Sequence, residues 1–73
     1  MTIVIDNPFQ IFIKTSSKVD WDHALYLGRY KTFDEAIARA KKENRGMPFE
    51  YKVRDVVRNK QWYGYVGRYR YNG

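Results

Sequence analysis

One segment of the chain carries both a start and a stop signal for an α-helix, and it restricts the fold more than any other feature. Thr32 begins a capping box, in which its hydroxyl can accept from the backbone of Glu35 while that carboxylate reaches back. Gly46 suits the C′ position that ends a helix, and Pro48 prevents its continuation. Apolar residues recur between these signals at the spacing of one helical face: Phe33, Ala36, Ile37 and Ala40. The sequence therefore predicts one helix with a single apolar face.

The segment before the helix alternates as a strand does. Residues 9–14 are rich in aromatic and β-branched residues, and every second side chain is apolar. The side chains predicted on its buried face are Phe9, Ile11 and Ile13. Residues 3–5 are apolar as well and offer a short additional strand before the Asn-Pro break at residues 7–8.

A second strand is predicted over residues 23–30, immediately before the helix. Its side chains Leu25 and Leu27 are expected to point inward. Gly28 marks either a β-bulge or a point where the helix packs closely on the strand.

The segment after the helix predicts a β-hairpin. Residues 49–57 alternate, and residues 58–60 form a turn before a final strand that begins at Gln61. The two faces of the first of these strands carry Phe49, Tyr51 and Val53 on one side and Glu50, Lys52 and Arg54 on the other.

These elements predict an α+β fold of order β-β-α-β-β. One helix covers one face of an antiparallel sheet of four strands, or of five if residues 3–5 add one, and the other face is open. At 73 residues the chain is one domain, residues 1–73, and buries only about 60% of its unfolded surface. A deep substrate cavity is not expected in so small a core.

Composition narrows the class of protein. The chain has no cysteine, which excludes disulfides and zinc–thiolate sites and leaves packing or oligomerisation to supply stability. The first residues lack a signal-peptide pattern, and no window has the roughly 20 apolar residues of a membrane span. We expect a soluble cytoplasmic protein (host cytoplasm if phage-encoded), monomeric or homodimeric, that does not bind membranes.

The net charge of +6 is unevenly distributed. Residues 1–27 carry two bases against three acids, residues 28–48 six against three, and residues 49–73 six against two. Positive potential in the last two-thirds of the chain attracts polyanions, acidic protein surfaces or anionic lipid. The alternative is that this charge only keeps the protein soluble and binds no specific partner.

The last strand mixes this charge with rings, and its orientation stays open. If Trp62 and Val66 face the helix, the open face beside Lys52 and Arg54 is lined by Tyr63, Tyr65, Tyr69 and Tyr71. In the opposite register Tyr63 and Tyr65 enter the core, and Arg68 and Arg70 become the exposed polar groups. The candidate binding residues are Lys52, Arg54, Arg58, Lys60, Tyr63, Tyr65, Arg68, Tyr69, Arg70 and Tyr71.

Catalytic and metal-binding patterns are weak. The single histidine, His23, lies near Asp20 and Asp22, but no second histidine and no cysteine completes a metal site. No phosphate-binding loop or dinucleotide fingerprint is present. We therefore expect a non-enzymatic protein without a cofactor.

Two functions from different classes fit these features. The first is nucleic-acid binding, DNA binding included, in transcription regulation: bases contact phosphates and tyrosines stack or enter a groove. The second is a regulator or inhibitor that binds an acidic protein surface, such as that of a host RNA polymerase, since tyrosine, tryptophan and arginine are enriched at interface hot spots.

Residues 25–40 resemble the strand–helix junction of AP2-type DNA-binding domains and of the arm-binding domains of phage integrases. The matching positions are Tyr26, Leu27, Gly28, Thr32, Glu35, Ala36 and Ala40. The resemblance implies a similar packing of helix on sheet. Those domains place their basic sheet before the helix, whereas the basic hairpin follows it here, so no DNA-contact residue is transferred. In size and charge the chain is also similar to small phage-encoded transcription regulators.

Overall fold

The computed structural model describes residues 6–16 and 18–67. The elements in chain order are β1 (Phe9–Lys14), a 3₁₀ helix (Trp21–His23), β2 (Leu25–Tyr30), α1 (Phe33–Glu43), β3 (Phe49–Asp55) and β4 (Lys60–Val66). The predicted α+β class and the order β-β-α-β-β are confirmed. The additional strand considered at residues 3–5 lies outside the described residues. Within the described ranges, no helix is long and apolar enough to cross a membrane.

The four strands form one antiparallel sheet in the order β2-β1-β3-β4. Both β2 and β3 pair antiparallel with β1, so β2 and β3 run parallel to each other. Parallel strands need a long crossover, and α1 supplies it by packing across β1 and β2. The chain then returns through the predicted hairpin of β3 and β4. The opposite face of the sheet, here called the open face, carries no α-helix among the described residues.

The core lies between α1 and the sheet. Its fully buried members are Ile11, Ile13, Ala36, Ala40, Phe49 and Val53. The two alanines come from the predicted helix stripe and allow the helix backbone to approach the sheet closely. Burying each of the larger side chains contributes about 1.5–3 kcal/mol, so a few residues carry most of the hydrophobic stabilisation.

A β-bulge in β2 confirms one of the two readings of Gly28. Between the pairs Gln10–Arg29 and Phe12–Tyr26, β1 has one residue and β2 has two, Leu27 and Gly28. Gly28 has φ +98°, a conformation that other residues rarely adopt. The bulge keeps Leu27 packed against the core while Tyr26 pairs on the open face.

Two details of this strand were predicted wrongly. Leu25 pairs with Ile13 but is 60% exposed, because it lies on an edge strand beyond the cover of α1. His23 belongs to the 3₁₀ helix, and its amide donates to Asp20 O at 2.9 Å. Strand β2 therefore begins at Leu25.

The two ends of α1 are set by local hydrogen bonds. Thr32 Oγ1 accepts from the amide of Glu35 at 3.1 Å, which confirms the predicted cap. At the other end the Gly46 amide donates to Lys41 O and the Arg45 amide to Lys42 O, a Schellman motif. The residue in the left-handed C′ position is thus Arg45, with φ +54°, and not Gly46 as predicted. Gly46 follows it with φ +77°.

A buried carboxylate shortens β3. Asp55 is 3% exposed, and its Oδ1 accepts from the amides of Val57 at 2.9 Å and Arg58 at 3.1 Å. These bonds turn the chain immediately after Asp55, so β3 ends two residues before the predicted limit and β4 starts at Lys60. Asn59 has φ +55° in this turn, a conformation that asparagine tolerates.

Aromatic rings extend the core beneath β4. Phe33 contacts Phe9, Tyr51 and Trp62, with ring centroids 6.0–6.5 Å apart. Gly64 lies opposite Tyr51, and a methyl group at Gly64 would overlap the Tyr51 ring. The glycine therefore provides the space that the tyrosine ring occupies.

Replacing Arg45 with glycine should stabilise the protein by about 0.5–1 kcal/mol, because the left-handed conformation is costly for arginine and not for glycine. Thermal unfolding should show a rise in Tm of about 2–8 °C. Gly46→Ala, the control at the neighbouring left-handed position, should lower Tm. An unchanged or lower Tm for Arg45→Gly would contradict the assignment of Arg45 to the left-handed C′ position of a Schellman motif.

Asp55→Ala should destabilise the protein by about 1–3 kcal/mol, because two amides of the turn lose their acceptor. Urea unfolding monitored by circular dichroism measures this change. Asp20→Ala is the matched control, since Asp20 is exposed and makes no side-chain capping bond, and it should change stability by less than about 0.5 kcal/mol. Equal effects of the two variants would show that the carboxylate does not hold the turn.

Candidate functional site

One line of side chains crosses the open face from one edge strand to the other. In the strand register Tyr26 pairs with Phe12, Phe12 with Lys52, and Lys52 with Tyr63. Paired residues of antiparallel strands share a face, so these four side chains form one row, here called the aromatic row. Each strand contributes one member, and three of the four members are rings.

Trp21 of the 3₁₀ helix extends this row into a second layer. Its ring centroid lies 5.7 Å from that of Tyr63. Lys14 Nζ is 4.6 Å and Lys52 Nζ 5.9 Å from the Trp21 ring centroid. At the other end of the row the rings of Phe12 and Tyr26 are 5.0 Å apart. Lys52 Nζ also lies 4.8 Å from the Phe12 ring, so this ammonium group contacts two rings.

Lys14 holds Trp21 in position. Its ammonium group donates to Val19 O at 2.6 Å and is 3.9 Å from Glu50 Oε2. The first contact ties the segment before the 3₁₀ helix to β1, and the cation–ring contact adds about 0.5–1 kcal/mol. Lys14 is therefore a positioning residue for the tryptophan.

A second row, parallel to the first, is polar. Here called the polar row, it consists of Arg29, Gln10, Arg54 and Gln61, which follow one another in the strand register. Arg54 Nη2 donates to Asn59 Oδ1 at 3.4 Å, and the Tyr63 hydroxyl donates to Gln61 Oε1 at 2.9 Å. The second bond connects the polar row to the aromatic row.

A third row lies on the other side of the aromatic row. It contains the single acidic residue of the three rows, Glu50. Lys14 pairs with Glu50, and Glu50 pairs with Tyr65. The three rows together contain four bases against this one carboxylate. In the described part of the chain, Arg29, Lys52 and Arg54 have no carboxylate within 4.0 Å. The open face is consequently basic, and within residues 6–16 and 18–67 the charge of these three bases is not neutralised by a carboxylate.

Exposure shows which rings a ligand can reach. Tyr63 is 59% and Tyr26 48% exposed, and these two residues lie at opposite ends of the aromatic row. Trp21 and Phe12 are half-buried between them. The row thus offers accessible ring surface on both edge strands and ammonium groups in the middle.

The orientation of β4, which the sequence leaves open, is decided by the structure. Trp62 contacts Phe9 and Phe33 on the helix side, with centroids 6.3 and 6.0 Å away. Tyr63 and Tyr65 therefore lie on the open face, together with the predicted residues Lys52 and Arg54.

Other predicted site residues lie elsewhere. Arg58 belongs to the β3–β4 turn, with Nε 4.0 Å from Asp55 Oδ2. Lys60 pairs with Asp55, which places it on the helix side of the sheet. The remaining candidates, Arg68, Tyr69, Arg70 and Tyr71, lie outside the described residues.

Sequence reasoning missed five residues of the site: Phe12, Lys14, Trp21, Tyr26 and Arg29. The alternation of β1 contained a signal for Phe12, because a phenylalanine at an outward position of a strand needs an explanation. Alternation contained a signal for Tyr26 as well, because it lies between two positions predicted inward; the bulge at Gly28 instead hid Arg29, which it brings onto the open face. Nothing local indicates that Trp21, outside any strand, contacts Tyr63 forty-two positions later in the chain.

In the described part of the chain, histidine and carboxylate side chains do not assemble into a second site. In residues 6–16 and 18–67, no group of three or more His, Cys, Asp or Glu side chains could hold a metal ion together. His23 is exposed at the end of the 3₁₀ helix.

Comparison of the chain with protein-family models, with curated proteins and with solved structures finds no match. The resemblance of residues 25–40 to AP2-type and integrase arm-binding domains therefore stays a prediction.

Replacing Lys14 with methionine should release Trp21 from the open face, because the bond to Val19 and the contact with the ring are both lost. In a Trp62→Phe background, where Trp21 is the remaining tryptophan, its emission should shift to longer wavelength and iodide quenching should increase. Lys18→Met removes an exposed ammonium group of the same segment and should leave the emission unchanged. Identical spectra for the two lysine variants would refute the positioning role.

Proposed function

We propose that this protein binds nucleic acid through the open face of its sheet, and that it acts in transcription regulation by binding rather than by catalysis. The observation that carries the proposal is the aromatic row, which joins rings from three strands and Trp21 around the ammonium group of Lys52, a group with no carboxylate within 4.0 Å in the part of the chain that the structure describes. Phosphates favour the bases of this face, and nucleobases favour its rings.

The distribution of charge supports a polyanion as the ligand. Three bases from two strands, Arg29 of β2 and Lys52 and Arg54 of β3, reach the same face, and none of them has a carboxylate within 4.0 Å among the described residues. A cation without a partner loses little when it binds a phosphate, since no existing ion pair has to break. Each such contact releases condensed counterions, so the affinity should depend strongly on salt.

The second candidate is a protein ligand with an acidic surface, such as a host RNA polymerase. The observation in its favour is that β4 is an edge strand with a ring exposed on each side, Trp62 at 38% and Tyr63 at 59%. An exposed edge can pair with a strand of a partner, with flanking rings as anchors. Capture from lysate separates the candidates: a stoichiometric protein complex that survives nuclease treatment favours this one.

The charge of the open face should determine the salt dependence of binding. We expect the Lys52→Ala/Arg54→Ala variant to bind a labelled oligonucleotide of mixed sequence more weakly than wild type in fluorescence anisotropy. The slope of log K against log salt should fall by about 0.7–0.9 for each phosphate contact removed.

The matched control is Lys41→Ala/Lys42→Ala, which removes the same charge from exposed positions of α1. It should reproduce the wild-type slope to within a small general effect of net charge. Wild-type binding that is absent at low salt, or that does not respond to salt, refutes the proposal. The proposal is also refuted if the control variant loses as much affinity for the oligonucleotide as the open-face variant does.

A further inference from the structure

We infer that the ligand of the open face is single-stranded nucleic acid, whose bases stack on the aromatic row while its phosphates contact the polar row. The inference rests on the proposed function and adds the class of nucleic acid to it. The exposed rings at the ends of the row, the ammonium group between them, and the parallel row of arginines and glutamines carry the argument.

Aromatic side chains bind nucleobases by stacking on their faces, and a duplex does not expose those faces. In a double helix both faces of each base are covered by its neighbours, so a protein ring meets only edges and sugar–phosphate. In a single strand the bases can splay and lie against aromatic side chains. Tyr63 and Tyr26, the most exposed rings of the row, would add little to duplex binding and much to single-strand binding.

The spacing of the row suits several bases rather than one. Its two end residues lie on the outer strands of a four-stranded sheet, three strand spacings or about 14 Å apart. Phe12 lies between them, and Trp21 covers the half of the row nearest Tyr63. A single strand that crosses the β-strands would thus meet successive rings along its path.

Lys52 occupies the centre of this path in the free protein. Its ammonium group covers the Phe12 ring at 4.8 Å and has no carboxylate within 4.0 Å in the described chain. A base can therefore replace the ammonium group on the ring while the ammonium group moves to a phosphate. Both groups gain from this exchange, because a stacked base has a larger contact than an exposed cation and the phosphate satisfies the charge. Lys14 is held by Val19 and Glu50 and keeps Trp21 in place.

The polar row provides the complementary contacts for the backbone. Two residues along a strand separate it from the aromatic row, which is about 7 Å. Arg29 and Arg54 belong to this row on β2 and β3, on either side of Gln10. Guanidinium groups bind phosphates through paired N–H donors, so these two side chains can follow a backbone that runs across the strands.

The test compares a single-stranded oligonucleotide of mixed sequence with its own duplex, at equal salt, by fluorescence anisotropy. Wild type should bind the single strand more tightly. Tyr63→Leu should reduce single-strand affinity about 5- to 100-fold and change duplex affinity less than twofold, since one stacking contact is lost. Tyr63→Phe keeps the ring and should stay within about twofold of wild type on both ligands.

If Tyr63→Leu shows no cooperative thermal unfolding and is therefore not folded, the same measurement is made with Tyr26→Leu, at the other end of the row. Equal wild-type affinity for both ligands, or equal loss on both ligands in the leucine variants, overturns the single-strand inference and leaves the proposed function standing. Absence of salt-dependent binding to either ligand overturns the proposed function and this inference with it.

Discussion

The pairing of β1 with β3 fixes both the core and the open face of the sheet. These strands are separated by the whole of β2 and α1, yet they pair over six consecutive positions. The register places Ile11 opposite Val53, both fully buried, and places Phe12 opposite Lys52 on the other face. A slip by one residue would move the apolar set into solvent and the aromatic row into the core. The core and the candidate site are therefore two consequences of one register.

The two faces of the sheet differ in the contacts that their side chains make. The helix face excludes water with aliphatic groups and with rings around Phe33. The open face keeps rings half in contact with water and covers two of them with lysine ammonium groups. Such contacts stabilise the free protein only modestly, so they can be exchanged for contacts with a ligand. A ligand that binds only the assembled face would also stabilise the fold by mass action.

Local signals were sufficient for a large part of the prediction. The cap at Thr32 was predictable because its hydrogen bond joins residues three apart. The outward positions of Lys52 and Arg54 follow from the alternation of β3, which no bulge interrupts. Alternation failed at the end of the same strand, where Asp55 turns the chain although the residues after it are valines. It also failed for Leu25, because alternation gives a direction and not the extent of the helix above it.

Periodicity and neighbouring residues are enough to predict which residues of β1 and β3 share a face, where the helix lies and where positive charge collects. How the faces combine depends instead on the pairing of strands that are distant in the chain. The side of β4 that bears Tyr63 depends on the number of residues in the β3–β4 turn, and one more residue would exchange it for Trp62. Trp21 joins the site through contacts with Lys14, Lys52 and Tyr63, which lie on three different strands. Contacts between residues so distant in the chain exist only after the strands have paired, so no local pattern could reveal them.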